Sequence, residues 1–393
     1  MKVLPAGAVV VLLASCSGGA SAPPLAASSS ARSAGGVSFR PAAHHLVGLG
    51  NVLTSKSGEI YGFDIDQNGN DGVLATATDV ETFNQDTGKI RSSFPKQAPS
   101  GTSYSLDAIV TGDVALVTRY VVPKGSIYAK RYYDVMNPVT AKKFTAKWTP
   151  PINDIQVEQT GPNQSTSTTA IFAIELKNQD NPILFASDVP ENTFGKVFSL
   201  NPSYFELGDQ PQLGQDTSTN QAVIATSPDG GRVGGYAPIN VLVNLTTGQQ
   251  IQWNGLNNGF YGSGFVNGLA VDSNTGIAAT TTELNAQVEF YNLAQETGTF
   301  AQLPCTSNTS QYNSGSGVAN DPVNGLFLVA ESEYCSGSQG SAIVVYDESG
   351  AYVETITGFT FSSGGVGPPI INPSKRMGWV VGPGINQLQQ FFY

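Results

Sequence analysis

A short run of β-branched and aromatic residues, closed by an Asn or Asp and a Thr/Ser-Gly pair, recurs along the chain. It stands at residues 80–88 (VETFNQDTG), 241–248 (VLVNLTTG), 288–298 (VEFYNLAQETG) and 343–350 (IVVYDESG). Each copy reads as a strand running into a tight turn, because the short polar side chain can bond the backbone ahead of it and the glycine accepts a positive φ. The last three glycines stand about 50 residues apart, and the gap back to Gly88 holds three such intervals. Two diverged copies are therefore expected in that gap, around residues 135–141 and 171–181. A second phrase precedes each of the first: residues 268–281 (GLAVDSNTGIAATT) and 317–331 (GVANDPVNGLFLVAE), with weaker forms at 222–235 and 370–382. These read as two short strands around an Asp/Asn/Pro/Gly turn.

Four strands per repeat, in a chain punctuated by 44 Gly and 23 Pro, predict an all-β protein and exclude a helical one. Small four-stranded sheets that bury their faces only against neighbours are the blades of a β-propeller. Seven blades fit the stretch at residues 44–393, with six and eight as the flanking alternatives. The last blade is expected at residues 366–393, closed by a strand near residues 46–53.

Ahead of that domain, Lys2 and the apolar run at residues 6–13 (AGAVVVLL) are too short for a permanent span and fit an export signal over residues 1–15. The run ends in Leu13-Ala14-Ser15-Cys16, which resembles the bacterial lipobox. That resemblance implies lipid on Cys16 and a location in the bacterial cell envelope, with the lipid as the one membrane contact. An ordinary secretory signal with a chance cysteine is the alternative. Residues 16–43 are rich in Ser, Ala, Gly and Pro and are expected to act as a tether with a reach of roughly 30 Å. Cys305 and Cys335 remain as an even pair in an oxidising compartment, where a disulfide is expected.

Within the repeats, Asn267-Gly268-Leu269-Ala270-Val271-Asp272 and Gly317-Val318-Ala319-Asn320-Asp321-Pro322 resemble the NHL, YVTN and gluconolactonase group of propellers. The likeness is clear in two blades and weakest between Ser103 and Leu200. It implies Asn267, and by position Asn320, as channel residues. In gluconolactonases the Asn before the Gly holds a divalent metal, but here Ser316 stands where the next blade should supply an Asp, and the early Glu-Gly-Pro phrase is missing. Asp64, Asp66 and Asn68 match the first half of a calcium loop, yet Ala75 occupies the place of its bidentate Glu. An ordinary blade turn is the competing reading, and no cofactor is expected unless calcium sits there. Asn244 to Gly248 followed by Trp253 resembles a quinoprotein repeat, which the three Trp of the chain do not sustain. Asp79/Glu81 and Glu331/Glu333 are expected on solvated strand edges.

The net charge of -11 and the 12% share of charged residues exclude nucleic acid as a partner. Charge is uneven: residues 1–150 are net positive and residues 151–393 strongly negative, and Arg119, Lys124, Lys130, Arg131, Lys142, Lys143 and Lys147 fall within one blade. With two adjacent histidines, His44 and His45, near the start, the body has no material for a His-based triad. The expected function is a monomeric, non-catalytic module that binds an envelope protein or glycan. A lactonase-type hydrolase and a quinoprotein-like propeller are the alternatives. The connections carrying Phe260, Tyr261, Tyr312 and Tyr334 are poor in charge and rich in Asn, Ser and Gly, a composition suited to recognition.

Overall fold

A computed structural model describes residues 47–67, 69–94, 101–106, 110–111, 114–125, 130–142, 169–174, 183–188, 191–201, 212–226, 239–253, 266–282, 287–302, 315–331, 341–360 and 368–393. They lie in one compact unit, Leu46–Tyr393. The first strand, β1 (Gly48–Thr54), belongs to the last blade. Blade 1 holds β2 (Ile60–Ile65), β3 (Asp71–Thr76), β4 (Val80–Asn84) and β5 (Lys89–Phe94). Blade 2 holds β6 (Thr102–Ser105), β7 (Val110–Thr111), β8 (Val114–Val121) and β9 (Lys130–Met136), and blade 3 holds β10 (Thr169–Ile174), β11 (Ile183–Asp188), β12 (Thr193–Phe194) and β13 (Phe198–Ser199). Blade 4 takes β14 (Gln212–Asp216), β15 (Gln221–Thr226), β16 (Ile239–Asn244) and β17 (Gln250–Trp253). Blade 5 takes β18 (Val266–Asp272), β19 (Ile277–Thr282), β20 (Gln287–Asn292) and β21 (Thr297–Gln302). Blade 6 takes β22 (Gly315–Asp321), β23 (Leu326–Glu331), β24 (Ser341–Asp347) and β25 (Tyr352–Phe359), and blade 7 takes β26 (Ile370–Asn372), β27 (Met377–Val381) and β28 (Gln387–Phe392).

These are seven antiparallel four-stranded sheets, the all-β propeller and the blade number expected from the repeat. One 3-10 turn, Pro373–Lys375, is the only helical element among the described residues. Blade 7 is completed by β1, which pairs with β28 from Gly48↔Phe392 to Thr54↔Gln387. The two ends of the domain are thereby hydrogen-bonded into one sheet, which closes the ring.

Two expectations shift by a strand. Thr169–Ile174 is the inner strand of blade 3, packed against β14, and not the turn-closed strand expected near residues 171–181. The outer lane of that blade is split between β12 and β13, both paired with β11, so no continuous run marks it. In blade 4 the inner hairpin lies at residues 212–226, one strand before the phrase at 222–235. Its turn is made by Asp216 and by Asn220 at φ 55, so no glycine announces it.

The core is divided into slabs between blades. One joins Ala279, Val288 and Phe290 of blade 5 to Phe327, Val329 and Tyr346 of blade 6. Another joins Leu53, Met377, Trp379 and Leu388 of blade 7 to Ile65, Leu74 and Phe83 of blade 1. The residue just before the third-strand turn supplies the large side chain for this contact: Phe83, Met136, Tyr291 and Tyr346 are all buried. The turn itself explains the recurring phrase. The Oδ1 of Asn84 accepts from the amides of Asp86 and Thr87 and from the Thr87 hydroxyl, and Asn137 and Asn244 repeat the pattern. Gly88, at φ 65, also makes room for a neighbour: a Cβ there would sit 3.0 Å from Trp379.

The seam between blades 7 and 1 is polar. Gln85 Nε2 donates to the carbonyls of Asp66 and Gly69 at 2.8 Å, and Asn372 Nδ2 donates to the same two carbonyls and to Gln85 Oε1. Trp379 Nε1 and Gln390 Nε2 both donate to the Gln85 carbonyl, at 3.2 and 2.9 Å. Asp66, Gln85, Asn372, Trp379 and Gln390 are all buried, so the network fixes one register for ring closure.

Candidate functional site

The two faces of the propeller differ. On one, the described first-to-second and third-to-fourth strand turns of blades 4, 5 and 6 are short and bonded to themselves: Asp216, Asp272, Asp321 and Asp347 each accept backbone amides of the turn they begin. On the other, the strand ends are joined by residues 202–211, 227–238, 254–265, 303–314 and 332–340. Long connections on a rigid frame are where recognition residues concentrate.

At that second face the inner strands share a distortion. The register of β2, β18 and β22 slips between Ile60 and Gly62, between Val266 and Gly268, and between Gly315 and Gly317. Tyr61, Asn267 and Ser316 are therefore equivalent bulge residues at the channel mouth, and bulges commonly re-aim a side chain. Tyr61 is 48% exposed. The glycine that follows lets adjacent inner strands approach closely. A Cβ on Gly268 would stand 2.6 Å from the backbone nitrogen of Val318, and one on Gly317 would stand 2.3 Å from Cα of Pro368. Backbone cannot swing aside as a side chain can, so Gly317→Ala is expected to cost about 2–3 kcal/mol by overpacking; a urea midpoint equal to that of the wild type would contradict the close approach.

Asn267, from the sequence reading, thus occupies one of the three bulges. Asn320 lies further along β22, toward the turn end, and its amide donates to Asp272 Oδ2 and to the Leu326 carbonyl, both at 3.3 Å. Asp64 Oδ1 accepts from the Ile65 amide. Asp66 begins a turn closed by Gly69, where an added Cβ would meet its Oδ2 at 2.1 Å. No group of three or more His, Cys, Asp or Glu among the described residues is placed to hold a metal ion. Cys16, Asn68, Phe260, Tyr261, Cys305, Tyr312, Tyr334 and Cys335 lie outside the described residues, although the strand ends that flank the last six open on the long-connection face. In the basic blade, Arg119 is drawn into an ion pair with Asp134 at 3.1 Å and lies over the Tyr132 ring.

The carboxylates expected on solvated edges are buried. Glu81 on β4 and Asp79 just ahead of that strand are 1% and 6% exposed, and Glu331 is fully enclosed; Glu333 lies outside the described residues. The edge reading fails because a central strand of a propeller blade has both faces covered by neighbouring blades. Sequence reasoning also missed Glu289. Glu81, Asp134 and Glu289 stand at the same place, three residues before the Asn that opens the third-strand turn, where blades 4 and 6 carry Val241 and Val344. Tyr291, on the same face as Glu289, packs against Val223, Ala225 and Leu242 of blade 4, so this position looks into the blade interface. Aligning the repeats on the turn Asn was the signal that could have found it.

Burial governs these groups. Loss of water pushes the Glu289 carboxyl up to about 8, against hydrogen bonds from the Tyr291 and Thr280 hydroxyls. Glu331, whose two oxygens have no hydrogen-bond partner among the described residues, is pushed up to about 8 by the same loss. Both are neutral acids near pH 7, enclosed between blades, where they touch no solvent.

No protein-family model matches the chain, and no curated protein sequence matches it. Solved structures do resemble it. A chain in the crystal structure of the mitotic checkpoint complex superposes with a TM-score of 0.60 at 12% identity, over 92% of this chain and 96% of that one. Raptor from Chaetomium thermophilum superposes with a TM-score of 0.53 at 10% identity, over 88% of this chain and 29% of that one. At such identities the likeness is one of fold.

Proposed function

We propose that the chain is a lipid-tethered binding propeller of the bacterial cell envelope, which captures a protein partner on the face of long connections. The carrying observation is the asymmetry of the two faces, one bearing self-bonded turns among the described residues and the other bearing long connections around three inner-strand bulges. The described acids are used in turns and blade interfaces, and no three of them are grouped to hold a metal ion, which fits a binding role. The structural neighbours support protein binding over a glycan, because one of them is part of the mitotic checkpoint complex. A disulfide between Cys305 and Cys335 would fasten two of the long connections to each other. Cys16 is the anchor in this reading.

Alanine at Tyr261, Tyr312 and Tyr334 is expected to weaken partner capture at least tenfold while Tm stays within about 2 °C, since residues of long connections carry little of the blade packing. Cys16→Ser should leave the membrane fraction after a salt wash. Unchanged capture by the triple variant would move the binding face elsewhere, and retention of Cys16→Ser in the membrane would remove the anchor.

A further inference from the structure

We infer that Ser57, Asp79 and Glu81 form a proton-held latch on the ring seam, in which one acidic proton shared through the Ser57 hydroxyl keeps the segment at residues 55–59 closed. That segment links β1, the closing strand of blade 7, to β2, the inner strand of blade 1. It is pinned on both sides. Ser55 N and Ile60 N donate to the carbonyls of Asn386 and Ile385 in blade 7, at 2.8 and 2.9 Å. Ala77 N donates to the Glu59 carbonyl and Thr78 Oγ1 to the Ser57 carbonyl in blade 1, at 2.9 and 3.0 Å.

The latch rests on a count of hydrogens. Ser57 Oγ lies 2.8 Å from Glu81 Oε1 and 3.1 Å from Asp79 Oδ2. A hydroxyl carries one hydrogen, and two carboxylates are acceptors only, so two full hydrogen bonds here take a second hydrogen, which a carboxyl can supply. Glu81 already accepts the Lys56 amide on both oxygens, at 3.1 and 3.3 Å, so both of its oxygens face a donor and leave no acid hydrogen aimed at Ser57. The proton therefore belongs to Asp79, which donates to Ser57 while Ser57 donates to Glu81. The other Asp79 oxygen is buried with no partner among the described residues, a poor place for a full charge.

The surroundings of Asp79 act in both directions, and the net effect is a rise. Loss of water raises its carboxyl above the usual range, the Ser57 hydrogen bond opposes this, and the charge of Glu81 adds to the rise. Across the interface, Tyr104 of blade 2 feels Arg119, Asp134 and Asp79, and Arg119 is held by Asp134. Lys56 and Glu59 are the charged residues of the segment itself. When pH rises, Asp79 loses its proton to water, Ser57 keeps one partner, and two adjacent anions repel beneath the segment. The seam then loosens on the face of long connections, so acid favours the closed ring.

The test is hydrogen exchange at the Lys56 and Ser57 amides of the full chain from pH 4 to 8, corrected for the intrinsic rate. Protection should fall about tenfold or more in the wild type and stay level in Asp79→Asn, which keeps the shape without the charge. A carboxyl carbon-13 titration of the wild type serves as the second reading and should place Asp79 above the ordinary range near 3.8. Level protection in the wild type, an Asp79→Asn slope equal to that of the wild type, or an Asp79 ionised at ordinary pH would each overturn the latch. Recovery of protection at pH 8 on adding calcium, with Asp79 ionised throughout, would assign the site to a cation in place of the proton.

Discussion

Between pH 5 and pH 8 the protein is expected to lose on the order of 3 kcal/mol of stability for each of Glu289 and Glu331. Both carboxyls titrate near 8 in the folded chain, against 4.5 for the ordinary side chain. Below the ordinary value both states hold the proton, and stability does not depend on it. Between the two values only the folded state holds it, so each rise in pH favours unfolding; above about 8 the slope ends. Asp347 runs the other way, because bonds from Ser349 and Ala351 outweigh its burial and draw its carboxyl down, but it finishes titrating in acid. Glu331→Gln keeps the volume and removes the ionisation. Urea midpoints at the two pH values should show about half the wild-type loss in this variant, and an unaltered loss would mean that Glu331 is ionised or solvated.

Trp379→Ala should be the most damaging single truncation at the seam, costing about 3–5 kcal/mol. Trp379 is fully enclosed, meets Phe83 edge-on at a centroid distance of 5.6 Å and rests against Gly88 of the neighbouring blade. Its removal leaves a cavity at the one place where ring closure depends on non-adjacent parts of the chain. It also strips a donor from the Gln85 carbonyl, which keeps Gln390. Trp379→Phe retains most of the packing and should recover more than half of the loss. Equal stabilities for the Ala and Phe variants would show that the hydrogen bond, not the volume, holds the seam.

The fold was readable where turn chemistry is written in glycine. Blades 5 and 6 carry Gly276, Gly325 and Gly350 at positive φ, and their phrases stand out in the chain. Blade 2 makes the same turn with Asn137, but Ala141 takes the left-handed position at φ 55, so the phrase fades although the geometry persists. Blade 3 splits its outer lane and loses the run altogether. The candidate site was half readable. Asn267 and Ser316 drew notice through a family phrase, while Tyr61 came forward only when the register slips aligned the three bulges. The buried acids were misread because a strand pattern gives the side a residue faces, and only the neighbouring blade decides whether that side is wet.

The binding claim is tested most directly by comparing the two faces in one experiment. A photo-crosslinking side chain is placed at Tyr61, beside the channel mouth, or at Val323, which is 70% exposed in a self-bonded turn on the opposite face. Crosslinking is carried out in intact cells, with Tm confirming that both variants are folded. Binding on the face of long connections predicts a discrete partner adduct from position 61 and none from position 323. An adduct from position 323 alone, or equal adducts from both, would contradict it.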